Sequence, residues 1–249
     1  MYLCGLNYVC ALAYLRKLRN AMAIPKIIHY CWFGRNPLPE SAIKCINSWK
    51  RYFPDYEIKE WNEDNFDVNM IPYTQEAYEA KKYAFVSDVA RFWVLEKFGG
   101  VYFDTDVEVV KDMTPILEAG PYMGCELQDG TVNPGLGLAA EPHMPVYKQI
   151  LDDFGKMNFY DETGKRNDYT MIPMITKLLR ENGLQDASQI QDVCGMIIYP
   201  VDYFNPLNAL TGKLNKTENT YSIHWYTATW MTPDLWWKKK LKQIYHRLR

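Results

Sequence analysis

The chain has 249 residues and a formal net charge of −2. That length buries a sizeable core in what is most simply one domain, and the near-neutral charge gives no general case for nucleic-acid binding. Six cysteines occur without a C-x-x-C pair or regular spacing, which argues against a zinc site or a disulfide framework and for reduced thiols in a cytoplasmic protein.

Met1 to Leu15 is apolar and uncharged and is followed by Arg16, Lys17 and Arg19. It is shorter than the roughly 20 apolar residues of a membrane span, and its charges follow the apolar run where a secretory signal has them in front. A surface helix, a weak membrane contact and an extension upstream of a start at Met22 all fit residues 1–22. Ile24 to Gly34 reads as a buried strand running into a loop. Trp32, Phe33 and Gly34 then lie at a strand's carboxyl end, where open α/β sheets bind ligands; a plain core role for Trp32 fits equally. A helix is expected over Pro39 to Phe53, with Ile43, Ile46 and Trp49 at core spacing. Tyr56 to Trp61 alternates as a second strand. Asn62, Asp64 and Asn65 follow it, and for Asn62 and Asn65 turn chemistry is a better reading than a binding role.

A long helix is expected from Thr74 or Gln75 onward. Within it Ala84, Asp88, Arg91 and Leu95 share one face, and an acid and an arginine on an apolar stripe are costly to bury unpaired. Gly99-Gly100 ends the helix, and the β-branched and aromatic Val101-Tyr102-Phe103 starts a strand. If the chain stays extended, Asp104 and Asp106 project to the same side. A strand that ends in two carboxylates is neutralised by a hard divalent cation, and oxygen ligands suit Mg²⁺ or Mn²⁺.

Val107 to Val110 continues as a strand, Pro115 to Glu118 is a short helix, and Pro121 to Glu126 is another strand. Gln128 to Gly137 is a loop containing Asn133-Pro134-Gly135. Pro145 to Phe154 is helical, and Asn167-Asp168-Tyr169-Thr170 opens a helix to about Arg180. Tyr221 to Trp225 is a strand that includes His224, with Trp230 beyond it. Residues 233–249 form a basic tail whose Leu241, Ile244, Tyr245 and Leu248 share a helical face. Such a tail fits either an anionic membrane surface or packing on the core.

The ordered string Ser87-Asp88, Arg91, Leu95, Gly99-Gly100, Tyr102 and Asp104-Thr105-Asp106 resembles the Asp-x-Asp sugar-transferase region of glycosyltransferase family 32. That family includes yeast-type initiating mannosyltransferases and bacterial capsule or lipopolysaccharide sugar transferases, and the clostridial glucosylating toxins share a related motif. The resemblance implies a GT-A fold over residues 23–232: an α/β, Rossmann-like, mixed and mostly parallel sheet flanked by helices in a single domain. It implies a retaining hexosyltransferase that uses a UDP- or GDP-sugar and Mn²⁺ or Mg²⁺ and acts on a saccharide or lipid-linked saccharide acceptor. The expected place is the cytoplasm, at the inner face of the membrane. It assigns catalytic roles to Asp88, Arg91, Asp104 and Asp106, and metal ligation to Asp104, Asp106 and His224. Donor contacts fall to His29, Trp32, Phe33, Gly34, Asn62, Asp88, Arg91, Tyr102 and Trp230, and acceptor contacts to Asn133 and Asp168.

Two other classes stay open on sequence. Phe103 to Val107 is similar to the Asp-x-Asp signature of haloacid-dehalogenase-type phosphatases, in which the first Asp is the nucleophile. That motif normally follows the first strand, and the downstream Gly-Asp-x-x-x-Asp pair is missing here. A non-catalytic sugar-binding protein is the third class, although it has no need of the acidic pair.

Overall fold

The structure is a computed structural model that describes residues 24–167 and 171–227. The expected extension over 1–22, the tail over 233–249, Asp168 and Trp230 all lie outside the described residues.

Strand β1 (Ile27–Cys31) leads to helix α1 (Glu40–Tyr52) and then to β2 (Glu57–Trp61). Helices α2 (Pro72–Glu79) and α3 (Tyr83–Phe98) precede β3 (Gly100–Tyr102) and β4 (Val107–Val109). After α4 (Thr114–Ala119) come β5 (Tyr122–Gly124), a 3₁₀ turn at Pro134–Leu136 and β6 (Leu138–Ala140). Helices α5 (Pro145–Phe154) and α6 (Met171–Glu181), strands β7 (Gln191–Val193) and β8 (Met196–Tyr199), helix α7 (Val201–Phe204) and strand β9 (Ser222–His224) complete the elements of the described residues.

Seven strands form one sheet in the order β2-β1-β3-β6-β5-β8-β7, and β4 pairs with β9 in a separate two-stranded sheet. In the main sheet β1–β2, β1–β3 and β5–β8 are parallel. The pairs β3–β6, β5–β6 and β7–β8 are antiparallel, so the sheet is evenly mixed where a mostly parallel one was expected. Two of the three antiparallel pairs come from β6. Its three buried residues, Leu-Ala-Ala, are too short to carry a strand pattern, and they fall just after the expected loop.

Both faces of the sheet are covered, and the strands show the two-residue period that this requires. Ile28, Tyr30, Val101 and Phe103 face a cluster that includes Trp49 of α1, Ile116 of α4 and Phe204 of α7. Cys31 and Tyr102 face the opposite cluster, with the buried residues of α2, α3, α5 and α6. Helix α3 buries Val86, Val89, Ala90, Arg91, Phe92, Val94 and Leu95, as a helix enclosed on most sides does. On α1 the buried stripe is Ala42, Cys45, Ile46 and Trp49, at i, i+3, i+4 and i+7. Ile43, expected in the core, is 46% exposed because it belongs to the neighbouring face.

The expected single long helix is two. Lys81 takes φ 56, its N–H donates to the Tyr78 carbonyl, and the Lys82 N–H donates to the Ala77 carbonyl. This pair of bonds closes a helix with a left-handed residue, usually glycine. A lysine there leaves no mark in the sequence. The stop at Gly99 does leave one: φ is 62, and a Cβ would lie 2.7 Å from Pro142 Cδ.

Helix α1 also fixes the second sheet. Trp49 Nε1 donates to the Val107 carbonyl at 2.8 Å, Tyr52 donates to the Val110 carbonyl at 2.9 Å, and Ser48 Oγ accepts from the Val109 N–H at 2.9 Å. These bonds hold β4, and with it the chain that leaves Asp106, beside the end of β3.

Candidate active site

Asp104 and Asp106 flank a tight turn, closed by a Val107 N–H to Asp104 carbonyl bond of 3.0 Å. The chain there is not extended, as the sequence spacing had suggested, and the two acids come together by the reversal. Val107 pairs with His224 across β4 and β9, so the histidine lands on the acids. One ligand atom from each of Asp104, Asp106 and His224 lies within 4.8 Å of the others. The group therefore has the donors and the spacing of a divalent-cation site.

His224 Nε2 stands 3.0 Å from Asp106 Oδ1. The other Asp106 oxygen accepts from the Thr227 N–H at 2.9 Å and from its hydroxyl at 3.2 Å, and the Trp225 N–H donates to the Asp106 carbonyl at 2.9 Å. Burial acts upward on the Asp106 carboxyl, but His224 and Thr227 outweigh it and hold it at about 2. Burial acts downward on His224, and Asp106 overcomes it, leaving the imidazole above its ordinary value. His224 Nδ1 is buried with no hydrogen-bond partner among the described residues.

Arg91 enters from α3. One guanidinium nitrogen, Nη2, lies 3.0 Å from Asp88 Oδ1 and 3.1 Å from Asp104 Oδ1. Nε donates to the Ser87 carbonyl, the guanidinium lies 5.0 Å from the centre of the Tyr102 ring, and Tyr102 donates to Asp104 Oδ1 at 3.1 Å. Nη1 is buried without a partner among the described residues, a state that costs free energy unless a ligand supplies an acceptor. Burial raises the Asp88 carboxyl to about 6 against the opposing pull of Arg91, and burial raises Asp104 as well.

The 3₁₀ turn closes the site from the far side. Asn133 Oδ1 accepts from the Gly135 N–H at 2.8 Å. A Cβ on Gly135 would lie 2.6 Å from Asp104 Oδ2, 3.0 Å from Asn133 Oδ1 and 3.5 Å from Arg91 Nη1. Glycine here keeps the space over both the carboxylate and the unpartnered guanidinium nitrogen.

The structure thus brings together Asp88, Arg91, Tyr102, Asp104, Asp106 and His224, with Asn133 at the edge. It treats the other expected donor contacts differently. His29 is buried behind the site: Nδ1 accepts from Trp61 Nε1 at 3.0 Å and Nε2 lies 3.0 Å from the Gly99 carbonyl. Both nitrogens are committed to the protein, so the ring ties β1 to β2 and to the end of α3. Asn62 makes a turn: its Oδ1 accepts from the Asp64 N–H and its amide donates to Glu60. Phe33 is buried edge-on against Phe66. Gly34 has φ 95, donates to Glu63 Oε1 at 2.6 Å and abuts the Tyr83 ring. Trp32 is half-buried at the end of β1, and its indole N–H donates to the Asn36 carbonyl.

Several neighbours carried no sequence signal. The Cys31 thiol bonds to Tyr102, and burial pushes it up to about 12. Thr227 and Tyr226 reach the site only through the turn after β9.

The chain is similar to known proteins in sequence and in fold. Residues 39–122 match the family described as "Glycosyltransferase sugar-binding region containing DXD motif". The chain is 31% identical over 144 residues to inositol phosphoceramide mannosyltransferase 3 of Schizosaccharomyces pombe, covering 56% of this chain and 40% of that protein. It is 28% identical over 147 residues to inositol phosphoceramide mannosyltransferase 1 of the same organism, covering 54% of this chain and 44% of that protein. The chain therefore spans less than half the length of these two relatives. A glycosyltransferase involved in glycosylation of the major capsid of PBCV-1 has a similar fold, with a TM-score of 0.52 and 11% identity over 89% of this chain and 98% of that one. The phosphatase alternative finds no counterpart here: Asp104 follows the third strand of the chain, and its carboxylate is tied to Arg91 and Tyr102. Residues 39–122 of this chain match a glycosyltransferase sugar-binding region containing the Asp-x-Asp motif, and the chain carries them on a GT-A-type α/β fold.

Proposed function

We propose that this protein transfers a hexose from a UDP- or GDP-sugar to a hydroxyl of a saccharide or lipid-linked saccharide, with retention at the anomeric carbon. The observation that carries the reading is the convergence of Asp104, Asp106 and His224 beside an arginine whose Nη1 lacks an acceptor among the described residues. Asp104, Asp106 and His224 would hold the cation. Their mixed carboxylate and imidazole set fits Mn²⁺ better than Mg²⁺, which prefers oxygen ligands alone. A bound cation supplies Lewis-acid neutralisation of charge on the departing diphosphate.

The chain's own residues do the rest. Arg91 offers Nη1 to an oxygen of the donor, and its bond to Asp88 fixes the direction of that offer. Asp88 accepts from donor hydroxyls. Tyr102 lines the pocket and holds Asp104 in place. In the reaction the bond from the anomeric carbon to the phosphate oxygen breaks and a bond to the acceptor oxygen forms. The acceptor proton passes to the leaving diphosphate, so no protein nucleophile is needed.

The relatives' mannosyltransferase names support a mannose donor as the first to test. The setting we propose is capsule or lipopolysaccharide assembly at the inner face of a membrane, where the basic tail over 233–249 meets anionic lipid. Among the described residues no helix is long and apolar enough to cross a membrane. Co-sedimentation with anionic vesicles at low salt tests that attachment, and no binding overturns it.

The activity test is release of nucleoside diphosphate from UDP- and GDP-hexoses with Mn²⁺, slow to water and faster with an acceptor. Asp104→Asn should abolish it. Asp104-dependent phosphate release from simple phosphomonoesters, with no action on any nucleotide sugar, would overturn the reading.

A further inference from the structure

Tyr226 sits two residues past His224 with φ 50, in the left-handed region that a non-glycine residue occupies only at a cost. Such a conformation persists only where the surroundings enforce it, and here three segments do. The Tyr226 ring lies against the His224 imidazole, with centroids 4.1 Å apart. Its hydroxyl stands 2.9 Å from Glu126 Oε1 and 3.0 Å from Asn205 Oδ1. Glu126 follows β5 and Asn205 follows α7, and the Asn205 amide donates to the Glu126 carbonyl at 3.1 Å, which locks the two acceptors together.

A ligating imidazole is normally oriented by a hydrogen bond to its second nitrogen. His224 lacks one among the described residues: Nε2 faces Asp106 and Nδ1 is buried without a partner there. The ring is therefore oriented by Asp106 on one side and by the Tyr226 face on the other. The turn at Tyr226 also delivers the Thr227 N–H to Asp106 Oδ2. One residue thus sets the pose of both His224 and Asp106.

We propose that Tyr226, anchored through its hydroxyl on Glu126 and Asn205, is a positioning residue of the cation site. This rests on the reading that Asp104, Asp106 and His224 hold a divalent cation. Removing the hydroxyl frees the ring to swing off His224 and loosens the turn that presents Thr227, with no loss of a ligand atom.

The test is the dissociation constant for Mn²⁺ alone, read from the free-ion signal in electron paramagnetic resonance. Wild type, Tyr226→Phe and Asp104→Asn are compared, with thermal unfolding measured in chelator. Tyr226→Phe should weaken Mn²⁺ binding by about 10-fold, the low end of what loss of a partner bonded directly to a metal ligand costs, while the metal-free unfolding temperature stays near that of wild type. If Tyr226→Phe does not fold, Glu126→Ala and Glu126→Gln carry the test. Glu126→Ala should weaken binding several-fold, and Glu126→Gln, which keeps an acceptor oxygen, should restore it. Wild-type affinity in Tyr226→Phe or Glu126→Ala, with Asp104→Asn defective, overturns the positioning role and leaves the cation reading standing. Wild-type protein with no affinity for Mn²⁺ overturns both.

Discussion

Asp106 and His224 are held 3.0 Å apart by a strand pair that takes no part in the main sheet. The pair aligns Val107 with His224, and α1 pins β4 through Trp49, Ser48 and Tyr52. The site is therefore assembled by two separate pieces of the fold. The end of β3 delivers Asp104 with Arg91 behind it, and the β4–β9 pair delivers Asp106 with His224.

Asp104→Asn separates cation binding from folding. Arg91 keeps Asp88 as its partner in this variant, so the buried guanidinium stays neutralised. We expect Mn²⁺-dependent binding of a nucleoside diphosphate, followed by calorimetry, to fall by about 100-fold or more, since even outer partners of a metal ligand are worth about 10- to 100-fold. The unfolding temperature should move little. Unchanged metal-dependent affinity would sink the assignment.

Arg91→Met should act on stability first. It leaves Asp88 and Asp104 facing each other without the cation that links them, and removal of one partner of a buried ion pair costs about 3–5 kcal/mol. Urea unfolding at neutral pH measures the loss. A change below about 1 kcal/mol would mean that solvent screening or protonation, not Arg91, offsets the charge of the two acids.

Gly135→Ala tests the space over the site. Its Cβ would lie 2.6 Å from Asp104 Oδ2, so the carboxylate has to move. Overpacking of this kind costs about 1–3 kcal/mol, and the displaced ligand should lower Mn²⁺ affinity more than it lowers stability. Binding titrations beside thermal melts report the two effects. An alanine variant with wild-type affinity would show that Asp104 approaches the cation by its other oxygen.

His29 should make the fold sensitive to mild acid. Burial lowers it from 6.5 to about 4, so the folded state holds it neutral while the unfolded state takes up a proton below about 6.5. Its contribution is complete above that value and disappears as pH falls through the folded value, a loss of up to about 3 kcal/mol between the two. NMR titration of the four histidines checks this. A His29 signal that titrates near 6.5 would contradict it.

Local sequence determined a good deal here. The spacing of Asp88 and Arg91 puts both on one helical face, and the two do pair. Gly99-Gly100 ends α3 and Val101-Tyr102 begins β3, because glycine and β-branched residues act within a turn of their own position. The covering of both sheet faces follows from the apolar character of the strands.

What tertiary structure alone decided is where distant segments meet. The break at Lys81 shows no glycine, and β6 is three residues long. Asn62 sits at a strand end as binding residues do and His29 lies within β1, yet neighbours that sequence spacing does not reveal satisfy their polar atoms. Gly135, Thr227 and Tyr226 join the site through a 3₁₀ turn and a left-handed residue. A sequence reports which side chains can hold a cation, because that is a property of each residue. Which of them face one another depends on strand register and chain reversal, and these are set by the packing of the whole fold.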